Sequence, residues 1–380
     1  MKNTVEIFLS LVRAGLWEQD VRLAAYGQPD FAGIFKLAKE QSVYGLVAAG
    51  LEHVTDMKIQ KADAVPFLKL LFKTEQRNEA MNTFISELFP DMEKDGIKCV
   101  LIKGQGVAQC YERPLWRACG DVDLLVDKDN YKKTKELLGA KASAMVVEVE
   151  AKRHLAMQFG RITVELHGVV HTDISPRIDS VVDQIQEGIF KEGRTRLWDN
   201  GGTMVRLPVP DDDIIIVFTH FIGHFYVGGV GLRQIADWCR QLWIFRDKID
   251  FNLLRKRLEM MDLVQEWQAF ATFAAEYLGM PREAMPFFEE SRQNRRRARR
   301  ILSLVIHAGN FGHNKDESYR RKHSKRVSDV ITFFRRIGEF VRLATIFPSK
   351  APEYFLTYVR RRDERAAEYF DRDDRGNPIS

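Results

Sequence analysis

Two aspartates two positions apart, Asp121 and Asp123, stand in the run DVDLLVD. In an extended conformation both face one side, while Val122, Leu124 and Val126 face the other. Carboxylates side by side repel, and burying them is costly unless a cation or a basic group lies between them. Upstream, the apolar run 100–102 ends in Lys103-Gly104 and passes into GQGVAQCYE, a segment able to form one or two helical turns. Downstream, residues 161–170 alternate, with Ile162, Val164 and Leu166 on one face and Thr163, Glu165 and His167 on the other. If that strand lies near DVDLLVD, Glu165 is a third carboxylate on the acidic face. Such oxygen donors suit magnesium, which completes its octahedral shell with waters and substrate phosphates. The plainer readings are a solvated Asp-Val-Asp at a strand end and a Glu165 paired with Arg161 or Lys152.

The elements that must position these residues are legible from periodicity. Residues 1–90 read as helices: Val5, Phe8, Leu9 and Val12 recur at helical spacing, as do Phe67, Leu70 and Leu71. Asp30 is a plausible helix cap, and Pro66 marks another helix start. The period then shifts to alternation. After DVDLLVD come a charged helix over 130–138 and a hairpin, AMVVEV and HLAMQF, joined by Glu150-Ala151-Lys152-Arg153. A helix over 176–190 leads to a second hairpin, whose Asp-Asn-Gly-Gly lies between TRLW and TMVRLP. Asp211, Asp212 and Asp213 open the long helix IIIVFTHFIGHFY, placed as caps at the positive end of its dipole. His220 and His224 share one face of it. No Glu follows His220 and no third ligand is evident nearby, so core or substrate-facing histidines are favoured over a zinc pair. Arg233 and Asp237, one turn apart on the next helix, read as a helical ion pair. The fold class expected is α+β: a mixed sheet in residues 91–210, between helical regions 1–90 and 211–380.

Composition sets the bounds. The 380 residues are 45% hydrophobic with a formal net charge of +5, a folded and mildly basic protein suited to an anionic substrate. The basic excess gathers after Arg292, in RQNRRRARRILSLVIHAG, YRRKHSKR and VRRRDER. Solvated helix faces explain these runs more simply than nucleic acid, which stays open as a partner. Cys99, Cys110, Cys119 and Cys239 lack the spacing of a zinc ribbon or a disulfide framework. No apolar run approaches a membrane span and the N-terminus carries no cleavage site, so a soluble, cytoplasmic protein is expected.

Through LIKGQGVAQCYERPLWRACGDVDLLV and the later ITVELH, the chain resembles the uncharacterised nucleotidyltransferases, a branch of the DNA polymerase beta superfamily. It departs from the superfamily pattern in carrying Gly104-Gln105 for Gly-Gly or Gly-Ser, at a longer spacing to Asp121. The resemblance implies a nucleotidyltransferase fold and a magnesium-dependent enzyme that moves a nucleoside monophosphate from an NTP to an acceptor hydroxyl, releasing pyrophosphate. It carries Asp121 and Asp123 into binding two Mg2+ ions, and Glu165 into binding the catalytic ion beside the acceptor as a candidate base. Lys103, Gly104, Gln105 and Arg117 become candidates for the triphosphate, Gly104 by letting backbone approach a phosphate and the helix start at Gln105 by its free N–H groups. A similar His-rich helix, glycine turn and Arg-to-Asp helix implies a helical domain closing over the nucleotide, with His220 and Arg233 contacting it. The acceptor is a small molecule, a sugar, a protein hydroxyl or an RNA end. Two alternatives stand beside this: a catalytically inactive nucleotide-binding regulatory module, and a nucleic-acid or protein scaffold working through the arginine-rich C-terminal helices.

Overall fold

Four helices open the chain in the computed structural model, which describes residues 2–149, 153–172, 174–227, 229–309 and 325–356. They are α1 (Lys2–Trp17), α2 (Phe31–Glu40), α3 (Tyr44–Glu52) and α4 (Lys61–Lys94). Asp30 caps α2 as expected, its carboxylate accepting from the Gly33 N–H at 2.9 Å. Helix α4 begins before Pro66 and runs through both Pro66 and Pro90, so neither proline marks its start.

The sheet follows as β1 (Cys99–Ile102), the one-turn helix α5 (Gly104–Ala108), β2 (Asp121–Val126), α6 (Tyr131–Lys141), β3 (Ala144–Val149), β4 (His154–Phe159) and β5 (Ile162–His167). Its order is β1-β2-β5-β4-β3. Only β2 and β5 run parallel; the other neighbours are antiparallel, which makes the sheet mixed. Then come α7 (Pro176–Lys191), the hairpin β6 (Thr195–Asn200) and β7 (Thr203–Pro208), and α8 (Pro210–Val227). Gly201 and Gly202 turn that hairpin with φ of 62° and 96°, conformations that favour glycine. Helices α9 (Leu232–Phe245), α10 (Phe251–Met261), α11 (Val264–Tyr277), α12 (Arg292–Ala308), a further helix, Lys325–Ala344, and a helical segment over 351–356 complete the described chain.

Alternation along the strands builds two cores. Val122, Leu124 and Val126 with Val164 and Leu166 pack on Ile85, Phe89 and Met92 of α4 and on Leu138 of α6. On the opposite side, Val100, Ile102 and Leu125 join a larger core with Ile185, Phe218, Phe221, Trp238 and Phe270, to which α1 and α3 add Phe8, Val12 and Val47. Each buried side chain of this size is worth about 1.5–3 kcal/mol. The sheet is thereby clamped on both faces, and the polar end of the second face is left to form a site.

Of the three aspartates at the start of α8, two pair with arginines, while the Asp211 carboxylate accepts from the Asp250 N–H at 2.8 Å. Asp212 accepts from Arg194 at 2.9 Å and from Arg257 at 2.7 Å, and Asp213 pairs with Arg196 at 3.1 Å. Their first-turn position matches the helix dipole, as expected from the sequence. The six arginines of α12 are only partly a solvated face. Arg297 is buried and donates to the Ile346 carbonyl and Gln265, Arg295 pairs with Glu276 and Glu290, and Arg300 reaches the Thr345 carbonyl. Residues 319–324, the run VRRRDER, the tail DRDDRGNPIS, Gly228 and Lys152 lie outside the described residues. All four cysteines are free and buried, and no described helix is long and apolar enough to cross a membrane.

One buried acid inside the larger core carries a stability prediction. Glu266 of α11 is fully buried, accepts from the Tyr226 hydroxyl at 2.8 Å, and is pushed up by burial to about 7. The unfolded chain loses this proton near the ordinary carboxyl value of 4.5, so between there and about 7 the folded state binds more protons and stability falls as pH rises. Glu266→Gln keeps the acceptor without the charge. The variant is expected to unfold at higher urea than the wild type above about pH 7, by on the order of 3 kcal/mol, with the gap closing towards about pH 4.5. A gap that stays constant over this range in urea titrations would count against a buried neutral acid.

Candidate active site

Strand register makes the site. Because β2 and β5 are parallel neighbours, Asp121 lies beside Thr163, Asp123 beside Glu165 and Leu125 beside His167. The two strands therefore present Asp121, Asp123, Glu165 and His167 on one face. On the far side of β2, Ile102 is the register partner of Asp123, so Lys103 leaves the strand next to that carboxylate. On the far side of β5, antiparallel β4 sets His154 opposite His167.

The side chains meet at hydrogen-bonding distance. Lys103 Nζ lies 2.7 Å from Asp123 Oδ1, and His167 Nε2 lies 2.9 Å from the same oxygen. Glu165 Oε2 is 3.2 Å from His154 Nε2 and 3.7 Å from His167 Nε2. Asp123 is 3% exposed, whereas Asp121, Glu165 and His154 are only partly covered. A cavity of about 300 Å³ opens against this face, lined by Lys103, His154, Glu165 and His167 on the sheet side and by His220 and His224 of α8.

Charge is unevenly balanced across the cluster. Burial, then the charges of Asp123 and Glu165, push the Asp121 carboxyl up to about 6. Burial also opposes the Asp123 carboxylate, yet Lys103 and His167 hold it well below the usual range. Glu165 is held below its ordinary value chiefly by the hydrogen bond from His154. Burial would lower Lys103, and the facing carboxylates of Asp123, Glu165 and Asp121 more than reverse that. The histidines go the other way. Burial and Lys103 lower His220 well below its ordinary value, and His224 falls to about 4. Their Nε2 atoms stand 3.2 Å apart, a spacing suited to one neutral imidazole donating to the other.

The residues expected from the sequence divide. Asp121, Asp123, Glu165 and Lys103 converge, and His220 faces them across the cavity. Gly104 is beside them with a φ of +39°, and a Cβ there would meet the Asp121 carbonyl oxygen at 3.3 Å. Gln105 does not reach the cavity. Its side chain is buried and donates to Asn78 Oδ1 at 2.8 Å, in a helix of one turn. Arg117 is also displaced from the role expected of it. Its guanidinium is buried on Asp237 in a bidentate pair, both contacts 2.7 Å, and Tyr111 donates to the same carboxylate at 2.8 Å. Asp237 is thus engaged by Arg117 and Tyr111 and also feels the charge of Arg233, which donates to the Ala118 carbonyl at 3.0 Å and acts on Asp121 as well. His154 was missed from sequence; pairing HLAMQF with ITVELH outward from the turn at Gly160, a hairpin the sequence reading did not draw, sets it opposite His167.

A family model described as uncharacterised nucleotidyltransferase matches residues 28–279, well over half of the chain and the whole of this site. The chain belongs to that family. Nucleotidyl transfer is accordingly the class of reaction to which this nucleotidyltransferase is assigned, and its mixed sheet amid helices agrees with the α+β fold expected. No curated protein sequence matches it. Among solved structures it is similar to an antigenic nucleotidyltransferase-like protein from Paracoccidioides brasiliensis, at 13% identity and a TM-score of 0.32, over 52% of this chain and 92% of that one.

Proposed function

We propose that the chain is a magnesium-dependent enzyme that transfers a nucleoside monophosphate from an NTP to an acceptor hydroxyl and releases pyrophosphate. The observation that supports it most is the register of β2 with β5, which brings Asp121, Asp123 and Glu165 together beside an open cavity. Three carboxylates facing one lysine leave negative charge in excess, and the raised Asp121 reflects that excess. A divalent cation fits such a donor set. Asp121 and Asp123 would hold two Mg2+ ions and Glu165 would share one of them. When bound, magnesium polarises phosphoryl oxygens and offsets the charge that develops on the leaving pyrophosphate.

The chain's own residues do the rest. Lys103 keeps Asp123 ionised and places a positive charge at the cavity edge. Glu165, held ionised by His154, is placed to accept the proton of the acceptor hydroxyl. His220 and His224, kept neutral, present a donor and an acceptor to base or ribose from the opposite wall, and Arg233 adds charge near Asp121.

One observation favours a second reading. Lys103 Nζ already lies against Asp123, a position a cation would share, which suits a catalytically silent module that binds nucleotide for regulation. The two are separated with NTPs labelled at the α-phosphate. Pyrophosphate release with label passing to a small hydroxyl compound, a sugar, a protein or an RNA end supports transfer. Calorimetric NTP binding without label transfer to any of these classes supports the silent module.

A further inference from the structure

We infer that His154, Glu165 and His167 form a site for one divalent transition-metal ion of the zinc type, opening on the cavity and distinct in its ligands from the all-oxygen magnesium set. It rests on the reading above only through the shared Glu165. Two ligands come from β5, at positions that share a face, and the third from the cross-strand position on β4, so a rigid sheet sets their spacing. One nitrogen or oxygen from each residue lies within 4.8 Å of the others.

Two of the three distances between ligand atoms lie near those around a tetrahedral ion. With zinc bonds of about 2.0–2.1 Å, neighbouring ligand atoms stand roughly 3.3–3.4 Å apart. Glu165 Oε2 lies 3.2 Å from His154 Nε2 and 3.7 Å from His167 Nε2. Two imidazoles and one carboxylate are a ligand set that zinc-type ions accept, and magnesium, which demands oxygen and keeps its waters, does not favour. Three protein ligands leave a fourth position, and the cavity faces it. The ion's charge also offsets the excess of carboxylates over Lys103. On binding, His167 Nε2 gives up its contact with Asp123, which keeps Lys103 at 2.7 Å. The competing explanation is a Glu165 that only accepts hydrogen bonds from two imidazoles.

The test uses the full-length, metal-free protein and Co2+ as a spectroscopic stand-in. One equivalent of Co2+ is expected to give the intense visible absorption of a tetrahedral nitrogen–oxygen site, displaced by Zn2+ and not by a large excess of Mg2+. His154→Gln and Glu165→Gln, each checked for an unchanged circular dichroism spectrum, should each lose the band and weaken Zn2+ binding at least about 100-fold, since even outer-shell partners cost 10–100-fold. Asp121→Asn should keep both. The inference is overturned by a weak octahedral spectrum, by competition from Mg2+ at equal concentration, or by Zn2+ affinity that survives in whichever of the two variants folds. Because absorbance needs no turnover, metal binding without nucleotidyl transfer would sink the proposed reaction and leave this site standing, and transfer without binding would do the reverse.

Discussion

Asp121→Asn is expected to abolish nucleotidyl transfer and, in the same molecule, to raise the melting temperature of the metal-free protein. Burial and the facing carboxylates hold Asp121 at about 6 against the ordinary 3.8 of an aspartate. That difference corresponds to strain on the ionised form of up to about 3 kcal/mol above pH 6. The sign follows from proton binding: between the two values the folded state holds more protons than the unfolded one, so this group's contribution to stability is lost as pH rises. Asparagine removes the charge and with it the repulsion. Asp123→Asn should also lose transfer but move stability the other way, because it leaves the Lys103 ammonium, 13% exposed, without the carboxylate that neutralises it. Loss of transfer should exceed about 100-fold in both variants, beyond what removal of an outer-shell partner costs a metal site. Thermal melts in chelator, paired with pyrophosphate-release assays, check both halves. Full activity in either variant would remove the acidic cluster from the reaction, and equal destabilisation by the two would overturn the reading of Asp121 as the strained carboxylate.

The second large effect lies away from the reaction. Asp237→Ala should destabilise the fold by about 3–5 kcal/mol, since it leaves the buried Arg117 guanidinium unpaired. It also deprives the Tyr111 hydroxyl of its acceptor. The combined change Arg117→Met with Asp237→Leu should recover most of that loss, because a buried ion pair replaced whole by apolar groups of similar size is often neutral. Arg117→Lys should not, as an ammonium cannot make the two parallel contacts of the fork. Urea denaturation of the three variants measures this directly. If Asp237→Ala were instead nearly as stable as the wild type while the KM for NTP rose on changing Arg117, the arginine would belong with the phosphates after all.

That arginine shows where reading from sequence stops. An arginine close in sequence to Asp-x-Asp is a reasonable phosphate ligand, but which carboxylate captures it depends on α9, more than a hundred positions later, whose Asp237 reaches back to it. Gln105 is similar: the motif sets it at a helix start, and only the packing of α4 decides that its amide turns inward to Asn78. The alternation of strands, by contrast, is a local property. It set Asp121 with Asp123 and Glu165 with His167 on matching faces before any fold was known, because side chains in a strand repeat every second residue whatever the neighbours are.

The sequence by itself therefore determined the acidic and apolar faces of each strand, the hairpin at Gly201-Gly202, the helical flanks and the family, all of which rest on short-range periodicity, turn chemistry and contiguous motif. Tertiary structure alone decided that β2 and β5 are parallel neighbours in the register that sets Asp123 against Glu165, that β4 brings His154 to them, and that Lys103 lies against Asp123. The physical reason is that strand order and register are selected by burial of two cores at once, a balance spread over residues far apart in the chain, which no local pattern encodes.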